Sequence, residues 1–418
     1  MSQLSATGTP TDLGFPRRLP SLTGLRWWAA LLVFGEHYRA MQLGTDLNAA
    51  ELSFSDRVFA TLFGTGYIGV GCFFILSGFV LTWSARPDDT ARAFWQRRFA
   101  KIYPIFAVTS VLAALMLIAV GQPPGFDLIL LQVFLLQSWV PDQAYSFGLN
   151  PVTWSLSAEA FFYLCFPLVI AILIRARTRV LWAVIVGCVL FTAVVPGLAG
   201  QAFELRGPTT EVVDTADAGG PFLYWFSYVC PFTRLSEFVA GVAAAVLLRR
   251  GQWIGPRLPA ALGIVVVGFV VNMYLPGYLQ RAAGMFVPFL LLITALARAD
   301  IKRSWSPMRG RAWQFLGEVS FALYAIQLLI LIATGMHLRQ WLWQAGVIDS
   351  PTAGVSWWLN VGFFFGYLVV CVLAAWFLYR TVERPMMRIL GPKRPARPQL
   401  TEQPGTEQAG KAFAESNA

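Results

Sequence analysis

The sequence predicts an all-α integral membrane protein with about ten transmembrane helices. Of its 418 residues, 56% are hydrophobic and only 13% are charged, a composition that excludes an ordinary soluble protein. Runs of about 20 apolar residues recur from Gly24 to Val382, and each is long enough to cross a hydrocarbon core of about 30 Å as a helix. Helices are the expected form because lipid offers no hydrogen-bond partners to the backbone.

The apolar runs define ten spans, and their order predicts the sidedness of the chain. The spans are residues 24–43, 60–83, 102–120, 153–174, 180–198, 223–248, 259–276, 282–297, 313–335 and 355–379. With a cytoplasmic N-terminus, most of the 32 Lys and Arg residues fall in cytoplasmic loops, as is typical of membrane proteins. Both termini are therefore predicted to be cytoplasmic, with a segment at 1–23, a transmembrane domain at 24–386 and a disordered basic and polar tail at 387–418.

A shorter apolar stretch, Leu128–Val140, lies between Asp127 and Pro141. It is too short to cross the bilayer upright. If it crossed, every later loop would change sides and the asymmetry of basic residues would be lost. We therefore expect this stretch to be interfacial or re-entrant.

Other features of the sequence exclude several classes of protein. The net charge of +10 comes mostly from cytoplasmic loops, which favours anionic lipid or an anionic cosubstrate over nucleic acid. The five cysteines lie in apolar spans without a pairing pattern, so neither a disulfide framework nor a metal site is predicted. The absence of G-x-S-x-G, H-E-x-x-H and P-loop motifs disfavours a serine hydrolase, a zinc protease and an ATP-driven pump.

Ionisable residues interrupt the apolar spans. Arg26 and His37 are eleven residues apart in the first span and so face the same side of a helix. A cation and an imidazole in lipid are costly, which indicates a functional site, and histidine is the usual general base near neutral pH. The alternative for His37 is an interhelical hydrogen bond. Arg234 and Glu237 in the sixth span are three residues apart and could neutralise each other.

Three polar side chains from different spans are predicted to lie at one depth. At about 1.5 Å per residue, His37, Glu159 and Gln327 all lie roughly 20 Å from the cytoplasmic side. A carboxylate could orient the imidazole and stabilise its protonated form, and Glu159 or Glu36 could provide it. Glu36 is the weaker candidate, because it points about 100° away from His37 and could pair with Arg39 instead.

A second polar layer is predicted at the cytoplasmic mouth. Arg97, Arg98 and Lys101 precede the third span, and Arg26 opens the first. On a helix, Arg97 and Lys101 share a face that Arg98 flanks. Such a cluster suits phosphate groups. The alternative is that these residues only set the topology.

Motifs along nearly all of residues 20–386 resemble the membrane-bound acyltransferase family 3. This family includes bacterial O-antigen and exopolysaccharide O-acetylases and macrolide O-acyltransferases of actinomycetes. The motifs are LPSLTGLRWWAALLVFGEHY with Arg26 and His37, GYIGVGCFFILSGFVL, FWQRRFAKIYP, TWSLSAEAFFYLCFP, TRLSEFVAG, GEVSFALYAIQ and VERP. Their order and spacing together are specific.

The resemblance implies a membrane-bound O-acyltransferase in the bacterial inner membrane. It implies an acyl-CoA cosubstrate, usually acetyl-CoA, no bound cofactor, and a hydroxylated acceptor that is a glycan or a small molecule. By the same resemblance, His37 is the catalytic base, Arg26 its companion and Glu159 the acidic residue of the fourth span. The donor site is assigned to Arg97, Arg98, Lys101, Ser77 and Tyr324, and Glu36, Arg234, Glu237 and Gln327 are assigned to a further polar pocket.

The chain departs from the family pattern at three positions and lacks an appended hydrolase-like domain, which leaves the acceptor undefined. Lys101 stands where a second arginine is frequent, Ala160 replaces a frequent glutamate, and Gln327 replaces a common histidine. The ninth span is therefore expected to supply a hydrogen bond rather than a proton.

Two alternatives to an enzyme stay open at this point. One is a transporter or flippase without acyl chemistry, although the sequence has no internal repeat or paired broken helices to support it. The other is an inactive scaffold descended from an acyltransferase. Within the enzyme hypothesis, a transient acyl-protein intermediate also stays open.

Overall fold

The fold is given by a computed structural model that describes residues 16, 18–43, 54–85, 89–202, 215, 219–350 and 355–392. None of these residues is in a β-strand, which confirms the all-α prediction for the described part of the chain. The α-helices are α1 Pro20–Leu43, α2 Phe54–Phe63, α3 Ile68–Ser84, α4 Ala91–Ala119, α5 Phe126–Val133, α6 Gln143–Ser146, α7 Trp154–Leu173, α8 Thr178–Ala202, α9 Pro221–Tyr224, α10 Pro231–Arg249, α11 Leu258–Asn272, α12 Gly277–Gln280, α13 Phe286–Ile301, α14 Arg311–Gln344, α15 Trp357–Leu378 and α16 Arg384–Ile389.

Seven helical stretches within the described residues are long and apolar enough to cross a membrane. They are Arg57–Ser84, Ala91–Ala119, Pro151–Leu173, Thr178–Ala202, Pro221–Arg249, Arg311–Gln344 and Trp357–Ile389. The other three predicted spans coincide with α1, which is interrupted by charged residues, and with α11 and α13, which have 15 and 16 residues. The protein is therefore a multi-pass membrane protein, whereas the total of ten crossings and the cytoplasmic termini stay predictions.

Several helices begin or break where the apolar pattern alone did not place a boundary. α4 begins at Ala91, well before the predicted span at 102–120, because the hydroxyl of Thr90 caps it by accepting a hydrogen bond from the Ala93 amide at 3.2 Å. Consequently Arg98 and Lys101 lie within a helix rather than before one. The second span is divided by the turn between α2 and α3, and the sixth contains the π-helical segment Trp225–Val229.

The short apolar stretch Leu128–Val140 does not form one continuous helix. It contains the end of α5 and the 3-10 turn Gln137–Trp139, and Leu135 between them has a positive φ of 57°. The Gln132 amide donates hydrogen bonds to Ser110 at 3.1 Å and to Thr153 at 2.9 Å. These contacts tie the stretch to α4 and to the start of α7, and its interfacial or re-entrant position stays a prediction.

The centre of the bundle depends on close contact between α3 and α10, the helix pair with the most extensive packing. A Cβ atom at Gly78 would overlap the backbone oxygen of Phe238, and one at Gly241 would overlap that of Ile75. Small residues allow helix backbones to approach this closely in membrane proteins. α1 packs against both α14 and α3, and this arrangement places the polar residues of α1, α3 and α14 around a common space.

Candidate active site

A cavity with about 820 Å³ of empty space, its open mouth included, lies between α1, α3, α4, α7 and α14. Much of the wall is apolar and aromatic. The polar residues of the lining are Arg26, Ser77, Arg98, Lys101, Ser155, Glu159, Tyr163, Ser320 and Tyr324.

The charges of the lining are unequal. Arg26, Arg98 and Lys101 supply three cations, and Glu159 is the one carboxylate among the described lining residues. Electrostatic interactions connect Glu159 with each of these cations, and they are strong because little water screens them in an enclosed site. The excess of positive charge makes this cavity suitable for an anionic ligand.

Hydrogen bonds hold Glu159 on the α7 side of the cavity. Its side chain bonds to Tyr163, one helical turn further along α7, and to Ser77 on α3. The hydroxyls of Ser77 and Tyr163 are themselves 3.4 Å apart. Glu159 is therefore placed among the cations, whereas the contact described for His37 is with Gln327.

His37 does not line the cavity and lies one turn of α14 beyond it. Its Nδ1 atom is 3.4 Å from Nε2 of Gln327, and Gln327 is fully buried. Tyr324, three residues before Gln327, lines the cavity, and its hydroxyl is 2.8 Å from Oγ of Ser155. One turn of helix corresponds to about 5 Å along its axis, so Gln327, which contacts the imidazole, lies about one turn along α14 from the cavity lining at Tyr324.

Arg97 is set apart from its neighbours on α4. It forms an ion pair with Asp89, and its side chain is 34% exposed. Arg98 and Lys101, three residues apart on the same helix, line the cavity instead. The three basic residues that the sequence grouped together are therefore divided between two environments.

Arg234 and Glu237 form a fully buried ion pair, with 3.1 Å between the guanidinium and the carboxylate. The guanidinium also lies over the rings of Phe74 and Tyr228 at 5.1 and 5.4 Å. A Cβ atom at Gly71 would be only 2.8 Å from the Glu237 carboxylate, so a glycine on α3 leaves room for the pair. The local neutralisation expected from the spacing of these two residues is present, and neither residue lines the cavity.

Glu36 has its own partners. It interacts electrostatically with Arg39 and Arg281, and its carboxylate accepts a hydrogen bond from the backbone amide of Tyr67. Arg281 in turn lies over the Tyr67 ring at 5.4 Å. Glu36 therefore belongs to a separate polar cluster near the start of α3, as its direction on α1 suggested.

Two residues of this region were not selected from the sequence. Tyr163 lies four residues after Glu159, a helical spacing that could have indicated their contact. Glu383, in the VERP motif, is only 2% exposed and ends the π-helical segment Tyr379–Glu383, which packs against α4. It interacts electrostatically with Lys101 and Arg26. Among the described residues, no three His, Cys, Asp or Glu side chains converge to hold a metal ion.

The fold and the charged cavity define a multi-pass membrane protein with a candidate ligand site between its helices. The chain belongs to the membrane-bound acyltransferase family 3, because the acyltransferase domain of that family matches residues 19–380. It is therefore an acyltransferase, and the transporter alternative is not retained.

Curated relatives support the same assignment. The chain is 35% identical over 407 residues to the acyltransferase MdmB of Streptomyces mycarofaciens, and the match covers 94% of this chain and 97% of that protein. It is 27% identical over 303 residues to the peptidoglycan O-acetyltransferase OatA of Listeria monocytogenes, which covers 66% of this chain and 43% of the relative. A third match, 28% identical, is the O-acetyltransferase OatA of Staphylococcus aureus, with 38% of this chain and 26% of the relative covered. No solved structure matches the chain.

Proposed function

We propose that this protein transfers an acyl group, acetyl in the simplest case, from acyl-CoA to a hydroxyl group of a glycan or of a secondary metabolite such as a macrolide. The observation that carries the proposal is the cavity with three cations and one carboxylate among otherwise largely apolar walls. An acyl-CoA molecule has the matching chemistry, since its phosphates are anionic and its acyl end is apolar.

The donor binds with its phosphates against Arg98 and Lys101. A guanidinium provides paired hydrogen bonds to phosphate oxygens, and an ammonium provides a mobile point charge. Arg26 either contributes to this binding or stabilises the negative charge that develops on the carbonyl oxygen. Arg97 has no part in the proposal, because it pairs with Asp89 outside the cavity. The thioester then extends along the apolar wall toward Tyr324.

Transfer takes place at the end of the cavity near Tyr324, one helical turn from His37. The imidazole removes the proton from the acceptor hydroxyl as its oxygen attacks the thioester carbon. The new ester bond forms, the carbon–sulfur bond breaks, and the CoA sulfur leaves as a thiolate that is neutralised by the proton from the imidazolium. Glu159 bonds to Tyr163 and Ser77, so its proposed role is to organise the cations rather than to orient His37.

The acceptor is a hydroxylated molecule whose class is open between glycans and small molecules. The name of the Listeria relative specifies peptidoglycan, but the match covers 43% of that protein. The Streptomyces relative matches over nearly its whole length, and its name specifies no acceptor. A test panel therefore contains a macrolide, a peptidoglycan fragment and an exopolysaccharide.

The test is acyl transfer by the purified protein in lipid nanodiscs with radiolabelled acetyl-CoA and each member of that panel. We expect a labelled ester with at least one acceptor and loss of transfer in His37→Ala. His337→Ala is the matched control, since His337 is an exposed residue of α14 and should leave transfer unchanged. Full activity in His37→Ala, with the protein folded, would eliminate His37 as the base.

The side from which the donor enters is tested separately. The proposal requires that the residues between α3 and α4 face the cytoplasm, where acyl-CoA is present. A topology reporter inserted between these helices should be active only on the cytoplasmic side. An extracytoplasmic signal from that position would contradict the donor assignment.

A further inference from the structure

Gln327 is the one hydrogen-bonding partner described for His37. The two residues are 290 positions apart in the sequence, and α14 brings the amide nitrogen Nε2 within 3.4 Å of the imidazole Nδ1. Gln327 is fully buried, and its oxygen Oε1 has no hydrogen-bond partner among the described residues. A buried amide held against the candidate base can influence how that base is protonated.

The two orientations of this amide leave the imidazole in different states. If Nε2 of Gln327 donates to Nδ1, the lone pair of Nδ1 is occupied and a neutral imidazole carries its proton on its own Nε2 atom. Neither ring nitrogen is then free to accept a proton. If the amide is rotated by half a turn, Oε1 accepts a hydrogen bond from Nδ1–H, and the ring Nε2 keeps a free lone pair.

The nitrogen and the oxygen of an amide are distinguished by the hydrogen bonds that each makes. The placed orientation leaves Oε1 of Gln327 without a partner among the described residues, so hydrogen bonding does not by itself establish that orientation. The chemistry decides, because a general base needs a free lone pair before the reaction and a stable hydrogen bond after it. Only the rotated amide meets both requirements, since Nδ1–H keeps its acceptor when the ring becomes an imidazolium.

We propose that Gln327 is a positioning residue that accepts a hydrogen bond from Nδ1–H of His37 and thereby directs the basic Nε2 lone pair toward the acceptor hydroxyl. The inference rests on the proposed function of His37 as the base. It assigns to a neutral amide the task that a carboxylate performs in many catalytic triads. Because an amide does not titrate, the protonation of His37 is decoupled from that of its partner.

The charged groups near His37 do not replace Gln327 as the hydrogen-bonding partner of its Nδ1 atom. Glu36 on α1 interacts with Arg39 and with Arg281 after α12, and no charged side chain acts on His37 among the described interactions. From α14, the groups that face this region are Gln327 and the hydroxyl of Tyr324, which bonds to Ser155. Gln327 is therefore the residue through which the tautomer of His37 can be set.

The tautomer itself can be measured. The chain contains two histidines, so His337→Asn, purified without a histidine tag and labelled with ¹⁵N-histidine, reports on His37 alone. At alkaline pH, where an imidazole is neutral, we expect the ¹⁵N spectrum of the Nδ1–H tautomer. The Nε2–H tautomer would overturn the proposal, and a mixture of both in Gln327→Leu would support it.

Kinetics separate this proposal from the function on which it rests. Gln327→Leu leaves Nδ1–H without an acceptor, and kcat should fall by about 10- to 100-fold without a change in KM for acyl-CoA. Gln327→Glu should restore much of kcat and move the acidic limb of the pH–rate profile to higher pH, since a carboxylate stabilises the imidazolium.

Each outcome points to one of the two proposals. Unchanged kcat in Gln327→Leu, with His37→Ala inactive, would refute the role of Gln327 and retain that of His37. Activity in His37→Ala would refute the base assignment first. Thermal unfolding of each variant in detergent shows whether a loss of kcat comes from misfolding.

Discussion

Charge removal at the donor-site cations gives the sharpest test of the proposed chemistry. The variants are Arg98→Gln and Lys101→Gln, and Arg97→Gln is the matched control on the same helix. Arg98 and Lys101 line the cavity, whereas Arg97 is partly exposed and paired with Asp89. The three substitutions remove the same charge from adjacent turns, so they separate direct binding from an effect of net charge or of topology.

The expected magnitude follows from these environments. A hydrogen bond to a charged partner in an enclosed site contributes about 1.5–3 kcal/mol, which corresponds to about a 10- to 150-fold change in Kd. We expect a loss of CoA affinity in this range for Arg98→Gln and for Lys101→Gln. Arg97 lies outside the cavity in a partly exposed pair with Asp89, and water screens its charge from a bound donor. An interaction of this kind contributes about 0–1 kcal/mol, so Arg97→Gln should change the Kd by less than about 5-fold.

Isothermal titration calorimetry of the protein in nanodiscs with CoA measures these values, and a topology reporter between α3 and α4 shows that the variants insert normally. Equal losses in Arg97→Gln and Arg98→Gln would contradict a specific donor site and favour a role in topology alone. CoA binding within about twofold of wild type in both cavity variants would refute the assignment of the donor to this cavity.

Three further predictions concern residues around the site. The buried carboxylate of Glu383 attracts the cavity cations and repels phosphate. Glu383→Gln should therefore destabilise the protein without ligand and tighten CoA binding several-fold in calorimetry. Weaker CoA binding by this variant would contradict the prediction. Arg234→Met or Glu237→Gln alone should lower the unfolding free energy by about 3–5 kcal/mol. The double variant should lose less than the sum of the two single losses, because the residues interact; strictly additive losses would show that they are not coupled. Gly78→Ala should lower the thermal stability by an amount equivalent to about 1–3 kcal/mol. The control Gly187→Ala should not lower it, because a Cβ atom there meets no described residue within 4 Å; equal behaviour of the two variants would argue against close contact between α3 and α10.

The fold class and the membrane environment could be predicted from the sequence. Long apolar runs have one stable backbone form in lipid, and each predicted span coincides with one helix or with consecutive helical segments within the described residues. Helix boundaries were predicted less well, since caps such as Thr90 and the π-helical segments extend or break helices outside the apolar pattern. The free-energy cost of an ionisable side chain in lipid depends on its own helix and not on the packing of other helices. Arg26 and His37 could therefore be selected from the sequence as candidate functional residues.

The partners of the site residues could not be predicted in the same way. Helical spacing indicates which residues share a face of one helix, but not which face meets another helix. Thus Arg97, Arg98 and Lys101 form one cluster in the sequence, yet only two of them line the cavity. Glu159, predicted as a neighbour of His37, bonds instead to Tyr163 and Ser77.

The amino-acid sequence was enough to predict a helical membrane protein, the ionisable residues that its apolar helices carry and, through its motifs, the acyltransferase family. The contact of Gln327 with His37 and the position of Glu159 among the cations emerged only from the packed helices. Hydrophobic periodicity acts within a helix, whereas the rotation and depth of one helix against another depend on contacts between residues such as His37 and Gln327, 290 positions apart in the chain.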